Sequence, residues 1–234
     1  MDEIVNYYGG GIPTNGFDMY YQVNNSYPGM IYVNAQGDRV GAEESATSAM
    51  WYGQEESKLY AVISSNMIDK EQAFIKHPMM NSAVLENNGW DKLEELAAEG
   101  NCVYKADTLE ELAEMIGAEN LTATVEAYNK DVAAGEDTAF GRSPESMVAF
   151  EEGPYYAVVT VPYVWSGTSG GVRANEDGYL QREDGSVITG LSLAGEILGP
   201  SNILGKINFG GINHSMCATW GIIAAENAAE LAGK

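Results

Sequence analysis

The strongest constraint in this sequence is a block of capped helices set between two strand-and-turn segments. From about residue 67 to 134 apolar residues recur at helical intervals, and the breaks carry helix-ending residues. Trp90, Leu93, Leu96 and Ala97 share one helix face, closed by Gly100-Asn101, after which Cys102-Val103-Tyr104-Lys105 reads as a short extended return. Thr108-Leu109-Glu110-Glu111 has the capping-box pattern, in which hydroxyl and carboxylate satisfy free backbone amides at a helix start. The helix it opens (Leu109, Leu112, Ala113, Ile116) stops at Gly117, and the next (Leu121, Val125, Tyr128, Val132) stops at Gly135. Before the block, residues 30–33 and 59–63 read as short strands around a turn at Gln36-Gly37-Asp38. The first thirty residues, with Tyr7-Tyr8-Gly9-Gly10-Gly11 and Asn24-Asn25-Ser26-Tyr27-Pro28-Gly29, give no regular element. After it, residues 156–161, 172–180 and 185–193 read as strands with turns at Glu176-Asp177-Gly178 and Glu183-Asp184-Gly185. A helix over about 213–231 ends the chain. Strand, helices, strands, helix is an α+β order, and no internal repeat appears.

Charge and motif content exclude several function classes. Twelve basic against 34 acidic residues give a net charge of −22, which opposes nucleic acid or an anionic membrane surface as partner. His77 and His214 have no zinc-ligand spacing, so no metal site is expected. Cys102 and Cys217 form no CxxC pair and are expected as small buried apolar residues. Residues 207–225 carry no formal charge, yet Gly210, Gly211, Asn213, Ser215 and Thr219 make the stretch too weakly apolar for a membrane span. No signal peptide is visible, so the expectation is a soluble chain, cytoplasmic by default with export left open. GxSxG, P-loop and GxGxxG patterns are absent, so no dinucleotide-binding βαβ unit is found. The acidic pairs Glu43-Glu44, Glu55-Glu56 and Glu94-Glu95 read as a solvated face.

Chemistry concentrates in the last third. Glycine is abundant, 27 of 234 residues against a usual ~7%, and there it clusters in Gly167-Thr168-Ser169-Gly170-Gly171, Ala194-Gly195-Glu196 and Phe209-Gly210-Gly211-Ile212-Asn213. Such pairs let backbone approach a flat ligand. A helix starting after Gly210-Gly211 aims free amides and a partial positive charge at that ligand. A loop-rich structural terminus is the competing reading.

The chain resembles the FAD-binding part of fumarate reductase and succinate dehydrogenase-type flavoproteins, a group that includes urocanate reductase and 3-ketosteroid dehydrogenase. The resemblance rests on an ordered series: Val33-Asn34-Ala35-Gln36-Gly37-Asp38-Arg39 with Glu43, Lys105-Ala106-Asp107-Thr108-Leu109-Glu110-Glu111-Leu112-Ala113, and Ala127-Tyr128-Asn129. It continues through Gly135-Glu136-Asp137, Phe140-Gly141-Arg142, Pro154-Tyr155-Tyr156-Ala157, Gly170-Gly171, Gly190-Leu191 and Ala194-Gly195-Glu196. It implies an α+β chain made of a capping domain plus the C-terminal β-hairpin and helix of a Rossmann-type FAD-binding domain. Residues 1–45 would end a first FAD-domain segment, 46–160 would form the substrate lid, and 161–234 would return to the FAD domain. The segment that holds the ADP moiety would lie elsewhere, so FAD is expected to bind this chain alone weakly or not at all. Gly170, Gly171, Gly195, Glu196, Gly210, Gly211, Ile212 and Asn213 are the expected cofactor contacts.

Three departures from the family pattern bear on the substrate. Gly167 stands where a histidine precedes the Thr-x-Gly-Gly motif, and Asn208 where an arginine precedes the second Gly-Gly. The lid's proton-donating arginine falls in the stretch 64–70, which has none. Carboxylate recognition relies on that planar fork, so fumarate is a poor fit. Trp165, Ser166, Thr168, Asn208 and Phe209 are the expected substrate lining, suited to a less charged, ring-bearing molecule. Tyr163 or Tyr60 is the candidate acid. The expected function is part of an FAD-dependent oxidoreductase that reduces or desaturates an activated carbon–carbon double bond. The alternative is a non-catalytic remnant or interaction subunit that complements a Rossmann-bearing chain or forms a homo-oligomer.

Overall fold

The computed structural model describes residues 8–13, 22–46, 49–68, 74–76, 89–100, 102–163, 171–199 and 212–233. Its chain divides into two compact units, Tyr8–Val164 and Met1–Tyr7 with Trp165–Lys234. The fold is α+β, with antiparallel strand pairing throughout.

The first unit is built on a seven-stranded sheet. Its strands are β1 (Tyr8–Gly11), β2 (Gln22–Val23), β3 (Ile31–Val33), β4 (Leu59–Ser64), β5 (Ile75–Lys76), β6 (Val103–Ala106) and β7 (Tyr155–Tyr163). The order is β3-β4-β7-β1-β2-β5, with β6 also on β7. One edge of β7 pairs with β4 along residues 155–160, while β6 and then β1 follow each other along its other edge. Tyr8–Gly11, in the aromatic, glycine-rich opening stretch, is thus a strand, not an irregular segment. Gly10 takes a left-handed φ of +91°, and a Cβ there would lie 2.9 Å from the Tyr32 hydroxyl, so glycine lets the strand pass this buried ring.

Helices cover this sheet: α1 (Ala49–Tyr52), α2 (Gly89–Glu99), α3 (Leu109–Ile116) and α4 (Leu121–Ala134). Trp51 of α1 is fully buried, donates its indole N–H to Thr160 Oγ1 at 3.0 Å and meets the Tyr32 ring edge-on. Trp90 of α2 meets Tyr156 edge-on at 5.4 Å, and Leu93 and Leu96 are buried. The α3 start behaves as its sequence implies, since Thr108 Oγ1 accepts from the Glu111 amide at 3.2 Å. Gly117 and Gly135 close α3 and α4 in the left-handed region.

Two of the three acidic pairs expected on a solvated face contribute to the interior or its edge instead. Glu43 is fully buried and bridges two arginines. The Arg39 guanidinium forms a forked pair with Glu43 and a second with Asp137, all four contacts between 2.8 and 3.0 Å. Arg142 Nη1 meets Glu43 at 3.0 Å and also donates to the Met30 carbonyl. Its Nη2 donates to the carbonyls of Tyr27 and Ser146. Burial alone would raise the Asp137 carboxyl. Hydrogen bonds from Arg39 and from the amides of Arg142 and Phe140 outweigh it and bring the group from 3.8 to about 2. Glu94 accepts from the Tyr156 phenol at 2.6 Å and from Lys105 at 2.9 Å, which ties α2 to β6 and β7. Burial, reinforced by Glu94, pushes that phenol up to about 12.

The second unit contains the hairpin β8 (Tyr179–Gln181) and β9 (Val187–Ser192), and α5 (Ile212–Leu231). Of the expected strand 172–180 only Tyr179 and Leu180 fall in β8, with an isolated bridge from Ala174 to Leu180, because Asn175 folds the intervening turn by accepting the Tyr179 amide at 2.8 Å. Gly178 lies against Trp220 and Ile223 of α5, and Asn227 donates to the Asp177 carbonyl.

Candidate functional site

In the second unit three short pieces of backbone meet. Residues 196–198 form a single 3-10 turn between Gly195 (φ +82°, ψ −160°) and Gly199 (φ +67°, ψ +111°), conformations that suit glycine. Gly171 crosses directly over this turn. A Cβ on it would lie 2.3 Å from the Gly199 nitrogen and 2.5 Å from the Ile197 carbonyl oxygen, and the Val172 amide donates to that same oxygen at 2.8 Å. A Cβ built on Gly195 would sit 3.7 Å from Cys217 Sγ on α5. The structure therefore brings Gly171, Gly195 and Glu196 together beside α5. Ile212 and Asn213 open that helix, about 7 Å along its axis from Cys217 at ~1.5 Å per residue.

Glycine backbone and the start of a long helix therefore belong to the same unit, and α5 begins uncharged. Its first helical turn carries no acidic side chain, so nothing opposes a partial negative charge at the amides there. Among the described residues no two strands pair in parallel, and no cluster of His, Cys, Asp or Glu could hold a metal ion. Among them, too, no helix is long and apolar enough to cross a membrane.

Other expected site residues are dispersed. Trp165, Ser166, Thr168, Gly170, Asn208, Phe209, Gly210 and Gly211 lie outside the described residues. Tyr60 sits on β4 opposite Val159, 5% exposed, with its ring edge-on to Tyr104 at 6.3 Å and the Lys58 ammonium 5.6 Å from its centroid. Tyr163 is the last residue of β7, opposite Tyr8. Four residues separate Tyr163 from the partner of Tyr60, roughly 13 Å of strand.

In the stretch 64–70, the described residues 64–68 are tied into the surrounding structure. The Ser65 hydroxyl donates to the carbonyls of Glu152 and Gly153, Asn66 donates to the Ala149 carbonyl, and Met67 is buried. Residues 64–67 thus anchor the loop before β7. Sequence reasoning missed Gly199 and Cys217 as neighbours of the glycine turn. Helical spacing from Ile212 could have found Cys217. Neither cysteine is buried as expected: Cys217 is exposed on α5, and Cys102 is half-buried at φ +60° with its thiol on the Pro13 carbonyl.

The FAD binding domain family model matches residues 24–212. "Probable fumarate reductase Ifc3" of Shewanella frigidimarina is 31% identical over 226 residues, covering 93% of this chain and 34% of that protein. A 3-oxosteroid 1-dehydrogenase of Mycobacterium tuberculosis is 35% identical over 150 residues, 56% of this chain and 26% of that protein. The crystal structure of 3-ketosteroid delta1-dehydrogenase from Sterolibacterium denitrificans in complex with 1,4-androstadiene-3,17-dione shares the fold, with a TM-score of 0.75 at 20% identity over 99% of this chain and 44% of that one. The chain thus spans about a third or less of the length of the curated relatives it matches. A match running unbroken from the sheet unit into the glycine turn, and supported by both sequence and fold, places this chain in the FAD-binding domain family of flavoproteins, with FAD as the family's cofactor.

Proposed function

We propose that these 234 residues supply the substrate lid and one wall of the flavin pocket in an oxidoreductase acting on a carbon–carbon double bond next to an activating group. The observation that carries this reading is the continuous family match over residues 24–212, which joins the sheet unit and the glycine turn in one flavoprotein pattern. In this assignment residues 46–160 are the lid, and the ADP cradle comes from a segment beyond these residues. FAD, when bound, supplies the hydride chemistry. The chain's own part is placement and charge. The α5 amides would meet the electron-rich edge of the ring, Gly171 and Gly195 would admit it to the backbone, and Trp165, Ser166, Thr168, Asn208 and Phe209 are the candidate substrate contacts. Tyr163, at the end of β7, would hold the proton at its phenol oxygen; Tyr60, the other candidate, is 5% exposed.

A neutral, ring-bearing acceptor suits the site better than a dicarboxylate. Of four arginines, Arg39 and Arg142 are fully engaged by internal carboxylates and carbonyls, and Arg173 and Arg182 belong to the hairpin region. No feature of the described residues favours a non-catalytic role. The test loads the assembled flavoprotein with FAD, reduces it with dithionite and follows reoxidation of the flavin by added alkenes without oxygen. A cyclic enone should reoxidise it at least ~10-fold faster than fumarate. Tyr163→Phe should slow the enone reaction ~10²-fold or more while flavin binding is kept. Failure of every activated alkene to reoxidise the flavin would overturn the proposal.

A further inference from the structure

Arg39, Glu43, Asp137 and Arg142 form a buried cluster with two positive and two negative charges, and every one of these charges has a partner inside it. Side-chain exposure is 6% or less for each member. Arg39 also lies over two rings, 5.0 Å from the Tyr128 centroid and 5.1 Å from that of Phe140. Asp137 accepts the backbone amides of Ala139, Phe140 and Arg142, so the loop after α4 is wrapped around its carboxylate. Arg142 holds the carbonyls of Tyr27 and Met30, and Glu44 accepts from Ser143 and Ser146. Residues 27–30 and 39–44 are therefore joined to residues 137–146, about a hundred positions further on, through these charged side chains.

We infer that this charge-closed clasp makes the Tyr8–Val164 unit a single cooperative body, stable by its own contacts, whose joined segments open together and independently of the β8–β9 hairpin and α5. The reason lies in the asymmetry of buried ion pairs. An intact, fully partnered cluster contributes modestly, whereas losing one member leaves an opposite charge buried without compensation. An opening that exposes one segment must therefore expose the others. The same closure takes Arg39 and Arg142 out of anion binding. The inference concerns contacts within one unit and holds whether or not the flavin reading does.

Hydrogen exchange on the full 234-residue chain, read by peptide, tests it. Arg39→Met should speed exchange about a hundredfold or more, to a similar extent, in peptides covering 27–46 and 137–150, and leave those covering 179–198 and 214–231 unchanged. Arg39→Lys keeps the charge but cannot bridge two carboxylates at once, so it should show the same pattern at smaller size and remain folded. Arg173→Met, at an exposed position of the other unit, is the control and should leave both clasp segments unchanged. Acceleration confined to residues next to position 39, acceleration equal in α5, or no acceleration with either variant would overturn the inference.

Discussion

The two units solve the same problem in opposite ways. In Tyr8–Val164 the sheet is lined by fully buried side chains such as Trp51, Tyr32, Ile63 and Leu93, and its internal charges neutralise one another. In the second unit the buried apolar side chains among the described residues are Leu198 and Met216, while Ile222 is 61% exposed and Ile197 53%. A helix that is apolar all round is one that gets covered, and α5 carries no charge before Glu226. The hairpin covers the stripe of α5 with Trp220, Ile223 and Asn227, leaving Ile222 open. The comparison teaches a division of labour: among the described residues one unit covers its own apolar side chains, and the other leaves part of its apolar surface open. In the proposed function, what completes it is the rest of the FAD domain.

Several perturbations would break or sharpen that contrast. The largest effect is expected from Arg39→Met, which takes the arginine from Asp137 and leaves Glu43 with Arg142 alone, and should remove about 3–5 kcal/mol from the first unit in urea unfolding; Arg173→Met should change stability by less than ~0.5 kcal/mol. Next is Gly171→Ala, aimed at the other unit. Its methyl would strike the Gly199 and Ile197 backbone, costing about 1–3 kcal/mol and raising exchange in residues 172–199 alone. Acid should also separate the units. Asp137 has a folded value below its ordinary one, so its contribution of about 2 kcal/mol is complete above pH 3.8 and fades as pH falls through about 2. Near-ultraviolet dichroism of the sheet unit's aromatics should then lose intensity between pH 4 and 2, and Asp137→Asn should flatten that step. The smallest effect is Thr108→Ala, which removes one cap from α3 for about 1 kcal/mol, read as a lower urea midpoint.

Local signals carried the helical layer. Periodicity and the cap residues at Thr108, Gly117 and Gly135 act within one turn, so α3 and α4 appear where their sequences put them. The β1 strand was hidden because Tyr8-Gly9-Gly10-Gly11 has turn composition. Its glycine is there for a buried ring, Tyr32, that lies 22 residues away. Glu43 and Glu94 looked like surface charge because their partners, Arg142 and Tyr156, are some sixty to a hundred positions distant. The site was half legible. Glycine spacing and the helix start marked Gly171, Gly195 and Ile212, but the crossing of Gly171 over Gly199 is a tertiary fact with no local signature.

Titration of FAD onto the 234-residue polypeptide, followed by gel filtration and the flavin-to-protein ratio of the eluted peak, bears most directly on the lid-and-wall assignment. The account predicts a colourless folded protein, and a yellow complex only when the remaining FAD-domain segment is supplied. A polypeptide that by itself elutes with one flavin per chain would contradict it.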